Sequence, residues 1–366
     1  MTPTKPKTKQ RSASDTVRLA EIDITNYKSL DRLALKLPPP STPDELDAFV
    51  LGSKNGVGKT SLLECCALSI LGAGFPELLL RDPRPHERVI RPDLLIRSGS
   101  EKASTVTQLT VNGKNVEVRF DLSPSGFKPN NHGNPLAHLG RGVLVYYGLF
   151  DEEEMLNSLF GRSSEPLIFP PILMFHSYRK VLEGSSALGA MVDPSIARRA
   201  YLGRRYNGSG TLSTFKVVLV QALMAKSGLF EGTLSKGDHS STLEKLNGLI
   251  RDFAGGIVEQ LRPGPDGTLE LRVKPVSGGE SFSFDGLSSG QKEIIATLFL
   301  IWFTTRDQPS IVLIDEPELH LNAEWQRLFV HKIRELAPKN QYILATHSEE
   351  IYGSVPEQRR LMLRQD

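Results

Sequence analysis

Cysteine is scarce in this chain of 366 residues: the two that occur, Cys65 and Cys66, are neighbours and poorly placed to pair, so a reducing cytoplasm is the expected setting. Long apolar runs are also missing. The longest, Ile294 to Phe303 with Thr297 inside it, is about half of the roughly 20 residues a membrane span needs, so no segment is expected to cross a bilayer. The first residues lack the apolar stretch of a secretory signal. There is little charge excess, because 44 basic and 42 acidic side chains leave a net +2, and bulk charge argues neither for nor against a nucleic-acid partner. The middle of the chain shows no Cys/His cluster of metal-ligand type and no heptads long enough for coiled-coil arms. What remains, 39% hydrophobic and 23% charged residues, is the composition of a soluble protein able to bury a large core.

The chain divides by pattern. Residues 1–16 hold Lys5, Lys7, Lys9 and Arg11 with almost nothing to bury, and read as a disordered basic arm. Residues 17–177 read as the first half of an α/β core. Val17 to Ile24 alternates like a strand, Ala48 to Leu51 is a buried strand, and Thr60 to Leu71 has helical spacing ended by Gly72. Between 73 and 140 one hairpin is clear, Thr105 to Leu122 turned at Asn112-Gly113, an antiparallel excursion from the core. Gly142 to Tyr147 and Leu167 to Ser177 read as further strands, and the acidic run Asp151 to Glu154 as a solvated helix start, with cation or partner binding as the alternative. Residues 178–284 read as a mainly helical inserted lobe. From 285 to 366 a loop, helix, strand, helix, strand, helix order resumes.

Three strings carry chemistry. Asn55-Gly56-Val57-Gly58-Lys59-Thr60-Ser61, between a strand and a helix, is a glycine-rich turn whose N–H groups can wrap phosphates at a helix N-terminus. Lys59 would reach the outer phosphates and Thr60 would offer a hydroxyl to magnesium. Ile311 to Ile314 is a β-branched strand ending in Asp315-Glu316, where Asp315 would hold magnesium through water and Glu316 would polarise the attacking water. Tyr342-Ile343-Leu344-Ala345-Thr346-His347-Ser348 reads as another buried strand, ending in a histidine, His347, that could hydrogen-bond a γ-phosphate. ATP and Mg²⁺ are the implied cofactors. In addition, Ser288 and Gly290 precede the helix expected from Gln291 to Thr305 and so lie at its positive end.

With these residues in view the chain resembles the ABC-type P-loop ATPases that include chromosome-maintenance (SMC) heads, RecF and the OLD group. It is most similar to stand-alone AAA-type ATP-binding proteins of bacterial defence systems. The carrying strings are Leu287-Ser288-Ser289-Gly290-Gln291, Asp315-Glu316-Pro317-Glu318-Leu319-His320-Leu321, Trp325-Gln326 and Thr346-His347-Ser348. The resemblance implies an α/β fold of ABC type, a mixed sheet core with an antiparallel β subdomain and an inserted helical lobe. It also implies that Ser288 and Gly290 touch the nucleotide of a second copy, so that two chains dimerise head to tail around ATP. Lys28 and Ser29 of Asn26-Tyr27-Lys28-Ser29 fall where relatives touch the nucleotide. Three departures stand out: Ser53 occupies the place of the first P-loop glycine, Asn322 replaces a second histidine, and no glutamine can be assigned as a further magnesium ligand, the Phe175 to Arg179 strand end being the expected region. The stretch after His347 is expected to be too short for the nuclease domain of OLD-type relatives.

Function then divides three ways. The first reading is a cytoplasmic ATPase serving nucleic-acid-linked defence or DNA repair, with its effector on another chain. It draws on the family, on the basic N-terminal arm and on Arg198, Arg199, Arg204 and Arg205, which alternate with aromatics able to stack on bases or sugars, with double-stranded DNA as the possible partner. The second is a protein-sensing switch without DNA contact; the third is the energy subunit of a membrane transporter.

Overall fold

Continuously apolar strands, which must be covered on both faces, form the central sheet of the computed structural model. The structure describes residues 16–53, 56–74, 79, 91–129, 136, 152–169, 171–181, 186–187, 213–216, 218–219, 238–263 and 268–364. The basic arm, the Gly142 to Tyr147 run and the Arg198 to Arg205 segment lie outside these residues, as do the side chains of the Asp151 to Glu154 run.

The central sheet contains β3 (Ala48–Gly52), β7 (Leu167–Phe169), β8 (Ile172–Phe175), β13 (Ile311–Asp315), β14 (Gln341–Thr346) and β15 (Arg360–Met362) in the order β15-β3-β14-β13-β8-β7. All neighbours are parallel except β7 and β8. The single strand expected over Leu167 to Ser177 is therefore two. The chain doubles back before Pro171, whose missing N–H suits a turn and whose carbonyl accepts a 2.7 Å bond from Ile311 N–H.

A second sheet, β2-β1-β4-β5-β6, is antiparallel throughout: β1 (Val17–Tyr27), β2 (Leu30–Lys36), β4 (Ala103–Val111), β5 (Lys114–Ser123) and β6 (Gly126–Pro129). The hairpin at Asn112-Gly113 belongs to this antiparallel sheet, where β4 pairs with β1 along nearly its whole length. A bulge between Leu19 and Glu21 shifts the alternation of β1, so Leu19 and Ile22 both face inward although they are three positions apart.

Helix α1 (Lys59–Gly74) is sandwiched between these two sheets and is buried all round, which is why its sequence is apolar on every face. It runs past the expected stop at Gly72. Its last turn is enclosed by Leu79, Phe120 and Leu136, and Leu136 N–H donates to the Ala73 carbonyl, so burial and a tertiary hydrogen bond replace the glycine cap.

The other face of the central sheet is covered by α3 (Asp238–Ala254), α4 (Ser289–Thr305) and α5 (Ala323–Leu336). Alternation along β13 shows both layers: Ile311 and Leu313 join the α1 core, while Val312 and Ile314 join the core containing Ile250, Phe299 and Ile333. Two shorter helices are α2 (Glu152–Leu159) and α6 (Glu349–Tyr352). The span 178–284, expected as mainly helical, needs amending. Besides α3 it holds an antiparallel sheet of β9 (Ser186–Ala187), β10 (Gly256–Pro263), β11 (Thr268–Pro275) and β12 (Phe282–Ser283). The reason lies in Gly256 to Pro275, where β-branched and alternating residues flank a turn-forming Pro-Gly-Pro-Asp-Gly stretch.

Candidate nucleotide site

Parallel strands bring their carboxyl ends to one edge, and ligands of open α/β sheets bind there. In register, Gly52 lies beside Thr346, Ala345 beside Asp315, and Ile314 beside Phe175. The residues that follow each strand therefore meet: the phosphate-loop residues, His347, Glu316 and His176.

Lys59 opens α1 and is only 6% exposed. Its ammonium donates to Ser53 Oγ at 2.9 Å and lies 2.8 Å from His347 Nε2. Ser53, standing where the first glycine was expected, is thus a ligand of the lysine in this state. Burial pushes the Lys59 ammonium below its usual pKa, against the pull of Asp315, Glu316 and Glu318. Gly58 cannot be replaced without strain: its φ is +95°, and a Cβ there would come within 2.5 Å of Leu30 Cδ2 and 2.9 Å of Ser29 Oγ. The Lys28 to Leu30 turn thus abuts the phosphate loop. The backbone N–H groups at the α1 N-terminus add the partial positive charge that attracts anions.

Asp315 ends β13 and is 1% exposed. Thr60 Oγ1 donates to its Oδ2 at 2.6 Å, while Oδ1 is buried with no hydrogen-bond partner among the described residues. Burial, with help from Glu316, raises its carboxyl to about 6 in spite of the Thr60 bond. A hydroxyl and an orphaned carboxylate oxygen at an anion-binding helix end are the donor set that a hard cation such as Mg²⁺ takes, supplemented by phosphate oxygens and water. Among the described residues no group of three or more His, Cys, Asp or Glu side chains could hold a metal ion by itself. The residues fit a metal shared with a bound phosphate.

Glu316 adopts φ +47°, a left-handed backbone unusual for a side chain of this size, and its N–H still bonds Ala345 O at 2.8 Å. The conformation turns the chain out of the sheet at the cleft, and Glu316 Oε1 sits 3.5 Å from His347 Nε2. His347 is fixed in turn by Glu318, which accepts from His347 N–H at 2.5 Å and from Thr346 Oγ1 at 2.7 Å. Lysine, histidine and glutamate thus form one chain of contacts across the cleft.

Other residues take places that the sequence did not reveal. Arg179, 8% exposed, donates to the carbonyls of His176, Asp315 and Glu316 at 2.9, 2.8 and 3.1 Å, clamping the backbone of the acidic pair. Lys28 was expected at the nucleotide, but its ammonium is bound to the buried Glu64 at 2.7 and 2.5 Å, and Tyr27 Oη donates to the same carboxylate at 3.0 Å. Asn322, which replaces a second histidine, caps α5 by accepting from Trp325 N–H at 2.9 Å. Asn55 lies outside the described residues; Val57 is half-buried and Ser61 buried.

Ser288 caps α4 through a reciprocal box with Gln291. Gly290 is pressed against the turn after the acidic pair: a Cβ there would lie 2.2 Å from the His320 carbonyl oxygen, and His320 itself has φ +60°. Among the described residues neither Ser288 nor Gly290 has a hydrogen bond or ion pair to Lys59, Thr60, Asp315, Glu316 or His347 of its own chain. Because backbone cannot yield like a side-chain tip, Gly290→Ala is expected to cost about 1–3 kcal/mol, seen as a lower thermal midpoint without nucleotide. An unchanged midpoint would mean that the His320 turn moves freely.

The arrangement of the sheets, with a cleft at the carboxyl edge of the central one, is a fold shared with solved SMC heads. Among solved structures, the chain superimposes on the SmcHead bound to the C-winged helix domain of ScpA with a TM-score of 0.50 at 15% identity, covering 92% of this chain and 91% of that one. For the Smc head domain with an extended coiled coil bound to the C-terminal domain of ScpA, derived from Pyrococcus furiosus, the TM-score is 0.51 at 13% identity, covering 93% and 92%. Residues 222–351 match the family described as "AAA domain, putative AbiEii toxin, Type IV TA system". That stretch includes α4, Asp315, Glu316 and His347. Two curated relatives are similar in sequence. The "Retron Vc95 probable ATPase" of Vibrio cholerae serotype O1 biovar El Tor is 34% identical over 98 residues, 24% of this chain and 19% of that protein. The "Septu protein PtuA" of Bacillus mycoides (strain KBAB4) is 22% identical over 342 residues, 90% of this chain and 38% of that protein. The chain thus spans less than two fifths of the length of the curated relatives it matches. No helix among the described residues is long and apolar enough to cross a membrane.

Proposed function

We propose that the chain is a cytoplasmic ATP-binding and ATP-hydrolysing protein that pairs head to tail with a second copy around ATP. It would serve as the sensor or motor of a nucleic-acid-linked defence or DNA-repair system whose effector is another protein. The observation that carries the reading is the convergence of Lys59, Thr60, Asp315, Glu316 and His347 in one cleft. Lys59 would leave Ser53 to neutralise the outer phosphates, and Thr60 and Asp315 would hold Mg²⁺, which when bound offsets negative charge on the phosphates. Glu316 would accept the proton of the attacking water. His347, beside both Lys59 and Glu316, would meet the γ-phosphate and lose that contact on its release.

Pairing is supported by Ser288 and Gly290, whose contacts are with the rest of their own helix start and with the His320 turn, leaving the helix N-terminus for the phosphate of a second chain. The similarity to the retron ATPase and the Septu protein favours a defence setting. DNA contact rests on the Arg198 to Arg205 segment.

Steady-state ATPase rates with and without double-stranded DNA test the whole reading. Stimulation that weakens as salt rises is expected, and reversing the charge at Arg198, Arg199, Arg204 and Arg205 is expected to abolish it without touching the basal rate. A basal rate indifferent to DNA would favour a protein-sensing switch instead. Absence of any turnover would overturn the ATPase assignment.

A further inference from the structure

Behind the catalytic strand lies a cavity of about 30 Å³ where the segment after β8, residues 213–215 and the body of α4 meet. Its wall is largely apolar, with Phe175, Phe215 and Leu300 among its residues, yet it also includes Arg179 and Glu293, which are 8% and 6% exposed. Arg179 commits its two terminal nitrogens to the carbonyls of His176, Asp315 and Glu316, and its Nε–H has no hydrogen-bond partner among the described residues. Glu293 Oε2 has none either, and Glu293 Oε1 lies 3.9 Å from His320 Nε2. Two buried groups of opposite charge, each with an open hydrogen-bonding atom, therefore share one small space. A buried charge whose polar atom is left unsatisfied is costly, so both atoms need a partner. A polar site of this size has room for water, which can bridge such a donor and acceptor. Thr297, one turn along α4 from Glu293, and Ser213 also line the space and offer hydroxyls.

We infer that Glu293 is the counter-charge of Arg179, bridged to it by water in this cavity, and that the pair ties the Ser288–Gly290 helix to the backbone of Asp315 and Glu316. Both are positioning residues for hydrolysis, and this role rests on the ATPase reading above. Arg179 grips the carbonyls of the acidic pair; Glu293 is one turn into the helix whose first residues would meet the second chain's nucleotide. A small shift of α4 on pairing would pass through Glu293 to Arg179 and from there to the Glu316 backbone. The same helix reaches that region by a second route, the contact of Gly290 with His320 O. Lys180 and Lys292 also face Glu293 electrostatically, but Lys292 Nζ donates to Asp285 O at 3.0 Å.

The test uses Glu293→Gln, Arg179→Lys and the double variant in the full chain. Three readouts are compared: binding of a fluorescent ATP analogue, kcat, and amide hydrogen exchange at Ile314 to Glu316 without nucleotide. Glu293→Gln is expected to bind the analogue within about twofold of the native chain and to lose roughly tenfold or more in kcat. Its exchange at Asp315 and Glu316 should be faster, and the double variant should be little worse than the poorer single one, because coupled residues do not add. Glu293→Asp, which keeps the charge, should recover part of the rate. Native kcat with native exchange in Glu293→Gln would overturn the pairing, as would fully multiplicative losses. If the native chain turned over no ATP, the ATPase reading would fall, while unchanged exchange at Asp315 and Glu316 would separately refute the link.

Discussion

Glu316→Gln is expected to lower ATP turnover by about two to four orders of magnitude while leaving ATP binding intact, and to hold two chains together as long as ATP is present. Glutamine keeps the shape of the side chain and its 3.5 Å approach to His347, but an amide cannot take up the proton of an attacking water. The backbone should not object, because the left-handed conformation at φ +47° places the same demands on glutamine as on glutamate. Turnover and size-exclusion chromatography with and without ATP read the two effects separately. Native turnover in this variant would move the base elsewhere. Lost turnover without retained pairs would leave the chemistry in place and sink the head-to-tail assembly.

Lys59→Ala is expected to weaken nucleotide binding itself. Its ammonium is the cation that opens α1 inside the cleft, and hydrogen bonds to charged groups are worth about 1.5–3 kcal/mol each, so a weakening of roughly tenfold to a hundredfold follows from one lost phosphate contact. Thermal shift separates this from misfolding. Ligand at a hundred times its Kd stabilises a protein by about 2.7 kcal/mol, so the native chain should melt higher with Mg-ATP. The variant should keep a cooperative transition without nucleotide and gain only about 0.4–1.4 kcal/mol at the same ligand concentration. A full ATP-induced gain in Lys59→Ala would show that the phosphates bind elsewhere.

Sequence was most informative where physics is local. The apolar runs of β3, β13 and β14 announced buried strands, and the glycine turn before α1 announced a helix N-terminus at an anion site. Contacts between remote residues were the part it hid. Arg179 and Asp315 are 136 positions apart, and nothing near Arg179 marks it as the clamp of the acidic backbone. The Lys28 and Glu64 pair joins a strand turn to a helix across 36 positions, and only the packing of α1 between two sheets buries Glu64. Glu318 stands in the acidic string after β13, but its bonds to Thr346 and His347 depend on β13 and β14 being neighbours. Where local signals misled, tertiary packing was the cause: α1 overran Gly72 because its end is enclosed, and residues 256–275 chose a hairpin inside a span whose remaining spacing read as helix.

The position of β3 has a consequence for how the protein is made. This strand, which delivers the phosphate loop, is held between β14 and β15, and Lys59 meets His347 across 288 positions of sequence. At about 5–20 residues per second, a ribosome needs roughly a quarter of a minute to a minute to make the stretch between them. During that interval the nascent chain carries an apolar strand with two open edges and a buried-type lysine with no carboxylate of β13 in reach. The growing polypeptide must shelter β3 by other means, and the cleft closes only as the last strands emerge.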